Sequence, residues 1–413
     1  MRILFYSHYF PPEGNAPASR TYENCKRWVR DGHDLTVVTC VPNVPNGVVY
    51  EGYRNRLRQY EIVDGVKVIH VWTYIAANKG TLRRILNFVS YMFSAIFFTL
   101  FTKRPDVIIA TSPQFFCGWA GLIVSKLSRI PFILEIRDIW PESIQAVGAM
   151  KSGLLLRILE WMELKMYASA MHIVTVGEGY RQRLLDKKVP NAKISTIMNG
   201  VDRELFKPQD KDAGLIEKYA LQNKFVCSYI GTIGMACALD VVLRAAKILN
   251  ESNRNDIVFL LVGDGAVREK LEAKAKSQGL QNIIFTDRQD KSLMPSFLSI
   301  TDACLVHLKN TDLFASVIPS KIFEAGGMAK PVIMGVQGCA AEIVETAEMG
   351  IHIEPENEQD LVNALVKLAD DPNLVETLGN SGHDYIVEHF DRDKLAAEYL
   401  TVIESISKKE NAI

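Results

Sequence analysis

Val226-Cys-Ser-Tyr-Ile230 runs straight into Gly231-Thr-Ile-Gly234, and a helical stretch opens soon after at Leu239-Asp240. A short apolar run ended by glycines and followed by a helix reads as one β-α unit of a parallel sheet. Residues 199–224, just upstream, are polar and hold no strand-like run. The pattern therefore restarts at Val226. It continues through Val258–Val262, Ile283–Phe285, Ala303–Val306, Val332–Met334 and Ile351–Ile353. Ahead of the gap the same rhythm gives Ile3–Tyr6, Leu35–Thr39, Val66–Val71, Val107–Ala110, Phe132–Ile136 and His172–Val176. Helical stretches between these include Ser19–Arg30, Leu82–Thr102, Cys117–Leu127, Gly153–Ala168 and Gly179–Lys187. Two such runs predict an α/β protein with two doubly wound domains, 1–200 and 201–385. From Asp370 onward the chain reads as purely helical, and either domain could receive the last helix, 386–413.

The composition is that of an ordinary globular chain: 413 residues, 48% hydrophobic and 23% charged, with 26 Gly and 16 Pro. That excludes collagen-like, low-complexity and disordered chains. Seven cysteines without a C-x-x-C predict a reduced compartment rather than a disulfide framework or zinc module. Met1 leads directly into the first strand with no signal-peptide layout, so a cytosolic chain is expected. The net charge of −1 hides a polarity. Residues 1–200 hold 25 Lys/Arg against 15 Asp/Glu, and residues 201–413 hold 22 against 33. A basic half and an acidic half imply modules with different partners.

The basic excess concentrates in residues 54–104, nine Lys/Arg against Glu61 and Asp64. Within it, Ile85–Phe101 carries no charge and is framed by Arg83-Arg84 and Lys103-Arg104. As a helix it would measure about 26 Å, short of a hydrocarbon core of ~30 Å. Asn87, Ser90 and Ser94 put a weakly polar stripe along one face. Two readings stand: a helix packed inside its domain, or an interfacial helix on an anionic leaflet. Nucleic acid is not expected, since the basic excess lacks a recognition motif.

Strand ends are where ligands sit in open α/β sheets. The first strand ends in Phe10-Pro-Pro-Glu-Gly-Asn-Ala-Pro-Ala-Ser-Arg20, where Gly14 permits close approach of a ligand. After Phe132–Ile136 comes Arg137-Asp-Ile-Trp-Pro-Glu142, either an Arg137–Asp138 ion pair bracing a loop or a polar cluster facing an interdomain cleft. Val262-Gly-Asp-Gly265 reads equally as a plain turn or a ligand contact. The strongest cluster is Val317-Ile-Pro-Ser-Lys-Ile-Phe-Glu-Ala-Gly-Gly-Met-Ala-Lys-Pro-Val332. Pro319 suits a first helical position, which would place Ser320 and Lys321 in the first turn, against a diphosphate. Glu324 lies one turn deeper, where a carboxylate can accept from vicinal ribose hydroxyls. A plain surface pair of Lys321 and Glu324 would leave the neighbouring glycines unexplained.

These motifs, with Asp31-Gly-His-Asp-Leu-Thr-Val-Val-Thr39, Asn199-Gly-Val-Asp202 and Gly338 ahead of Glu342, resemble the retaining glycosyltransferases of family 4. The likeness spans nearly the whole chain and is greatest for the subgroup acting on lipid-linked bacterial surface-glycan precursors. It implies a GT-B fold: two Rossmann-like domains facing across a cleft, with a C-terminal helix crossing back to the N-terminal one. It also implies metal-independent transfer with retained anomeric configuration. By this resemblance the donor would contact Gly14, Gly231, Thr232, Gly234, Arg288, Lys291, Ser320, Lys321, Glu324, Gly338, Cys339 and Glu342. The acceptor would contact Glu13, Asn15, Arg20, Arg137, Trp140 and Glu142, and the catalytic parts would fall to Asp138, Lys321 and Glu324.

The chain departs from the family in three places. Ser316 stands where the first glutamate of E-x7-E would be, Arg137 where a histidine often precedes the aspartate, and the basic pair after the Gly231 loop is missing. Charge on the leaving diphosphate then falls to Lys321, Arg288 or Lys291, and the amides near Gly338-Cys339. The function implied is transfer of an N-acetylated amino sugar from UDP to a polyprenyl-diphosphate-linked saccharide, at the inner face of the cell membrane and without cofactor or metal. A nucleotide-sugar epimerase of the same architecture and a non-catalytic nucleotide-sugar- or glycan-binding partner are the alternatives.

Overall fold

The computed structural model describes residues 1–44, 46–76, 81–142, 153–312 and 314–410. Lys79, one of the nine basic residues above, lies outside these. The chain forms two compact units, Met1–Met198 with the tail from Asp393, and Asn199–Arg392.

The first unit holds an eight-stranded sheet: β1 (Arg2–Tyr6), β2 (Asp34–Cys40), β3 (Arg58–Val63), β4 (Val66–Val71), β5 (Val107–Thr111), β6 (Phe132–Ile136), β7 (His172–Thr175) and β8 (Ile194–Thr196). Its spatial order is β3-β4-β2-β1-β5-β6-β7-β8, parallel throughout except for β3 against β4. β5 and β6 are buried along their whole length, as strands covered on both faces must be. β3 and β8 have no counterpart among the strands read from sequence. β3 alternates exposed and half-buried residues at the sheet edge and so lacks an unbroken apolar run. Its legible mark is Asp64-Gly65, both at positive φ, which closes the hairpin to β4.

Because strand order reverses beside β1, right-handed crossovers send helices to both faces. α1 (Ala16–Arg30) covers one face, and α2 (Thr81–Thr99), α3 (Phe115–Ser128), α4 (Leu154–Ser169) and α5 (Glu178–Asp186) share the core on the other. The polar stripe of α2 turns inward. Asn87 is buried and donates to the Tyr74 carbonyl (2.7 Å), and the Tyr74 N–H donates to Ser90 Oγ (2.8 Å). The exposed face of α2 is apolar instead.

The second unit is a six-stranded, all-parallel sheet of β9 (Phe225–Ile230), β10 (Ile257–Val262), β11 (Ile283–Thr286), β12 (Ala303–His307), β13 (Val332–Gly335) and β14 (Gly350–His352). The order β11-β10-β9-β12-β13-β14 puts the reversal between β9 and β12. Around it lie α6 (Ala213–Lys218), α7 (Asp240–Glu251), α8 (Arg268–Ser277), α9 (Met294–Ser299), α10 (Lys321–Gly327), α11 (Cys339–Thr346), α12 (Glu358–Asp370) and α13 (Pro372–His389). The glycines of α10 serve packing. A Cβ on Gly326 would overlap Ile386 of α13, and one on Gly327 would crowd Val201.

The last helix, α14 (Arg392–Glu410), lies on the α1 face of the first unit. The Trp28 indole N–H donates to the Ala396 carbonyl (2.9 Å), the Trp28 and Tyr399 rings meet edge-on at 5.1 Å, and Arg27 pairs with Asp393 at 2.6 Å. Tyr399 is fully buried. Tyr399→Ala should therefore destabilise the first unit by about 3–5 kcal/mol. The check is an early transition in urea unfolding, which a tail that merely rested on the surface would not produce.

Candidate functional site

In the second unit, strand order reverses between β9 and β12, and in open α/β sheets ligands sit beyond the carboxyl ends at such a reversal. Two glycine loops lie there, backbone against backbone. Gly231 N–H donates to the Val262 carbonyl (2.8 Å) and Ile233 N–H to that of Asp264 (2.9 Å). Gly231 and Gly263 have φ of +138° and +144°, and a Cβ on Gly263 or Gly265 would overlap the Gly231 or Ile233 carbonyl. Val262-Gly-Asp-Gly265 is thus the support of the Gly231 loop.

Lys321 is the first residue of α10, so the helix starts two residues later than Pro319 would suggest. Its ammonium sits 4.5 Å from the centre of the Tyr229 ring and occupies the space a Cβ on Gly231 would fill. Among the described residues it makes no hydrogen bond or ion pair. Burial lowers its pKa, with Cys237 and Glu324 pulling the other way. Glu324 is half-buried on the same helix, unbonded to Lys321. The Ser320 carbonyl accepts from the Phe323 and Glu324 N–H groups (3.1 and 3.3 Å), and its hydroxyl caps nothing. Thr232 accepts the Tyr229 hydroxyl at its carbonyl (2.8 Å), and Gly234 begins the short turn Met235–Cys237.

Gly338, at φ +74°, lies against the Ala315 carbonyl and leads into α11, with Cys339 half-buried and Glu342 exposed. Arg288 is exposed and Lys291 half-buried beyond β11, which β10 and β9 separate from β12. A residue with no sequence signal ties these loops together. His307, buried at the end of β12, donates from Nδ1 to the Cys237 carbonyl and accepts the Glu356 N–H at Nε2, both at 2.8 Å. Glu354 takes Asn310 (3.0 Å) and Gln337 (3.2 Å).

In the first unit most of the residues expected to meet an acceptor have partners in the fold. Glu13 accepts the Asn43 and Val44 N–H groups (2.9 and 3.0 Å), and burial raises its pKa against those bonds. Asn15 caps α1 through the Ala18 N–H (2.9 Å), and Gly14 beside it is exposed. Arg20 pairs with buried Glu135 (3.3 Å) and donates to the Ile197 and Met198 carbonyls (both 2.8 Å). Burial alone would raise the Glu135 pKa, but Arg20 and Arg137 hold it below the usual carboxylate range. The Arg137 guanidinium bonds the Pro17 and Ala16 carbonyls (3.0 and 2.9 Å) rather than Asp138, and burial lowers its pKa to about 10. Trp140 stacks on Phe115 at 5.4 Å, and Glu142 pairs with Arg183 (2.7 Å) and Lys187 (2.9 Å). Asp138 stands half-buried past the end of β6, its N–H on Ser112 Oγ (3.2 Å).

Among the described residues no cluster of three His, Cys, Asp or Glu could hold a metal. Two D-x-D triplets occur, a pattern that elsewhere binds metal. Asp212 caps α6, Asp391 pairs with Arg203 (3.2 Å) and Asp393 with Arg27 (2.6 Å), so each of these has a protein partner.

Residues 215–385 match the family model of the Glycosyl transferases group 1, and residues 15–200 that of the Glycosyl transferase 4-like domain. An Escherichia coli (strain K12) protein provisionally named as the colanic acid biosynthesis glycosyl transferase WcaI is 26% identical over 377 residues, 88% of this chain and 90% of the relative. The Escherichia coli UDP-Gal:alpha-D-GlcNAc-diphosphoundecaprenol alpha-1,3-galactosyltransferase is 25% identical over 301 residues, 71% of this chain and 74% of its own. Anabaena Alr3699/HepE, solved with UDP and glucose, has the same fold at a TM-score of 0.74 and 17% identity, covering 98% of this chain and 100% of that one. WaaG, a glycosyltransferase involved in lipopolysaccharide biosynthesis, follows at 0.69 and 14%, covering 97% and 99%. Two parallel α/β units carrying these two domains make the protein a glycosyltransferase of GT-B fold. Both domains and the two Escherichia coli relatives support a place in glycosyltransferase family 4.

The histidine lock gives the fold a pH dependence. Burial lowers the His307 pKa and pushes that of His8, in the first unit, down to about 3. Both take up a proton at lower pH in the folded chain than in the unfolded chain, which protonates them near 6.5. Below that pH the unfolded state binds more protons, so stability falls as pH falls. Urea midpoints should drop between pH 6.5 and 5. His307→Leu should flatten that slope and cost about 1–3 kcal/mol at pH 7.5 by leaving the Glu356 N–H unpaired.

Proposed function

We propose that the protein transfers an N-acetylated amino sugar from UDP to a saccharide on polyprenyl diphosphate, with retention and without a metal, at an anionic membrane surface. The observation that carries this reading is the Lys321 ammonium, half-buried and bonded to no carboxylate where β9 and β12 part. A diphosphate is the group that such a site lacks. As the sugar leaves, negative charge grows on the UDP β-phosphate, and a fixed ammonium stabilises it more than it stabilises the bound donor. Gly231 leaves the room in which that ammonium meets the phosphate, Glu324 accepts the ribose hydroxyls, and Ser320 and the Gly338-Cys339 amides complete the cradle. With no carboxylate placed as a nucleophile, attack comes on the face the diphosphate leaves, and the enzyme's share is position and charge. Asp138 orients the acceptor. Arg20, Glu13 and Glu142, committed to the fold, shape the acceptor side only indirectly.

Two relatives support the partners: HepE was solved with UDP, and the galactosyltransferase is named for a diphosphoundecaprenol acceptor. No helix among the described residues is long and apolar enough to cross a membrane. α2 instead presents Leu86, Phe93 and Phe97 outward, with Phe101 beyond its end, between Arg83-Arg84 and Lys103-Arg104. That is the layout of an interfacial helix on an anionic leaflet.

The deciding assay screens UDP-sugars against a polyprenyl-diphosphate saccharide in EDTA, with the product anomer read by NMR. Epimerised donor without transfer, or no turnover of any donor, would overturn the reading. Lys321→Ala should lower kcat ten- to hundredfold, since a charge-assisted bond is worth roughly 1.5–3 kcal/mol. Glu324→Ala should chiefly raise the Kd for UDP, read by calorimetry. Charge reversal at Arg83, Arg84, Lys103 and Arg104 should release the protein from anionic vesicles at low salt, at ~1 kcal/mol per cation. Transfer to a short water-soluble acceptor should survive that change.

A further inference from the structure

α4 carries a second outward apolar face that the reading above does not use. Leu154, Leu155, Ile158, Trp161 and Leu164 are all exposed, Leu154 by 76% and Trp161 by 57%. They fall at i, i+1, i+4, i+7 and i+10, one stripe of a helix. The opposite side, Leu156, Leu159 and Met166, is buried in the core. The stripe is therefore surplus to folding.

It also has neighbours. α3 packs against both α2 and α4, and all three contribute to the core on one face of the sheet. α3 is apolar for most of its length. Cys117, Ala120 and Val124 point into the core, Phe116 and Trp119 are only partly covered, and Leu127 beyond them is 65% exposed. α2 adds Leu86, Phe93 and Phe97. Three helices on one face of the sheet, α3 packed against each of the other two, thus expose large apolar side chains. Single exposed hydrophobics are ordinary, but so many on neighbouring helices mark a surface that meets something apolar.

Charge decides what that is. The same helices expose cations, Arg83 and Arg84 on α2, Lys126 on α3, Arg157 and Lys165 on α4, against the lone exposed acid Glu160. Lys165 Nζ lies 5.8 Å from the Trp161 ring centre, so one side of that aromatic is apolar and the other cationic. Tryptophan beside lysine suits the headgroup level of a bilayer, where apolar chains lie below and phosphates above.

We propose that α2, α3 and α4 form one platform that rests in the interface of an anionic phospholipid bilayer, with the Trp161 ridge as its second line of insertion. This rests on the membrane half of the function proposed above and adds to it a fixed orientation. One helix can roll about its axis on a membrane, whereas two separated ridges define a plane. The carboxyl ends of β5 and β6, with Ser112 and Asp138, are then held at constant height over the phosphates. A sugar on a lipid diphosphate is presented at a constant height too.

The test uses the full chain and vesicles of phosphatidylglycerol and phosphatidylcholine at low salt. Ile158→Glu with Trp161→Glu should weaken sedimentation with vesicles at least tenfold and leave transfer to a water-soluble acceptor within twofold. In the wild type, bromine-labelled acyl chains should quench tryptophan emission, and Trp161→Phe, which keeps the apolar surface, should lose the Trp161 share of that quenching, leaving that of Trp119, while still binding. Vesicle binding by the double glutamate variant equal to wild type, with loss on charge reversal at Arg83 and Arg84, would show α2 docking alone; this proposal then fails and the membrane reading stands. A wild-type protein that ignores anionic vesicles defeats both. Conversion of a dimer to a monomer by the glutamates would make the ridge a subunit interface and overturn the proposal.

Discussion

An ammonium drawn out of water and bonded to no carboxylate is an unfavourable state, and the second unit is arranged around the one at Lys321. The aromatic face of Tyr229 offers a partial substitute for solvent, and Gly231 leaves the volume in which the charge sits. That volume exists because Gly263 and Gly265 let the two loops lie backbone against backbone. His307 holds the next ring of loops through both ring nitrogens. Glycines and a neutral histidine build the place; the lysine alone carries the charge. On the function proposed above, such a corner would take an anion without first breaking an internal ion pair, leaving its charge available to a departing group.

The first unit resolves its buried charge in the opposite way. Glu135 lies within β6 and is satisfied by Arg20 and by Thr111 (2.7 Å), while Arg20 also binds the chain leaving β8. Arg137 spends its guanidinium on the entry to α1. These groups rigidify the strand ends and present no open charge. The contrast assigns unlike work to the two units: one keeps a cation in reserve, the other a stiff and largely neutral frame from which Asp138 projects beside Ser112. On the platform proposed above, part of the charge of the basic half, Arg83, Arg84, Lys126, Arg157 and Lys165, would face lipid phosphates.

How much of this is legible in sequence follows from what each residue must satisfy locally. Strands covered on both faces need unbroken apolar runs, so all six strands read in each half have their counterparts, and the restart at Val226 marks the second sheet. β3 escapes because an edge strand meets water on alternate residues, and Ile194–Thr196 is too short to carry a pattern. Pro319-Ser-Lys321 and Glu324 stand out because a lysine, a hydroxyl and a carboxylate at one helix start have few uses. The direction of a side chain is another matter. Asn87 and Ser90 read as a polar stripe of unassigned direction and face the chain beyond β4, since helix periodicity defines faces but not which one the sheet takes. Gly326 and Gly327 look like ligand glycines and serve Ile386 and Val201, more than fifty residues away in either direction. Arg20 and Arg137 look alike to Lys321 on paper; only the long-range placement of Glu135, Ile197 and Pro17 decides that they are paired and it is not. Sequence by itself determined the two parallel sheets, their boundary and the charged cluster, because those depend on neighbours along the chain. Which charges remain unspent was decided by tertiary structure, because pairing depends on neighbours in space.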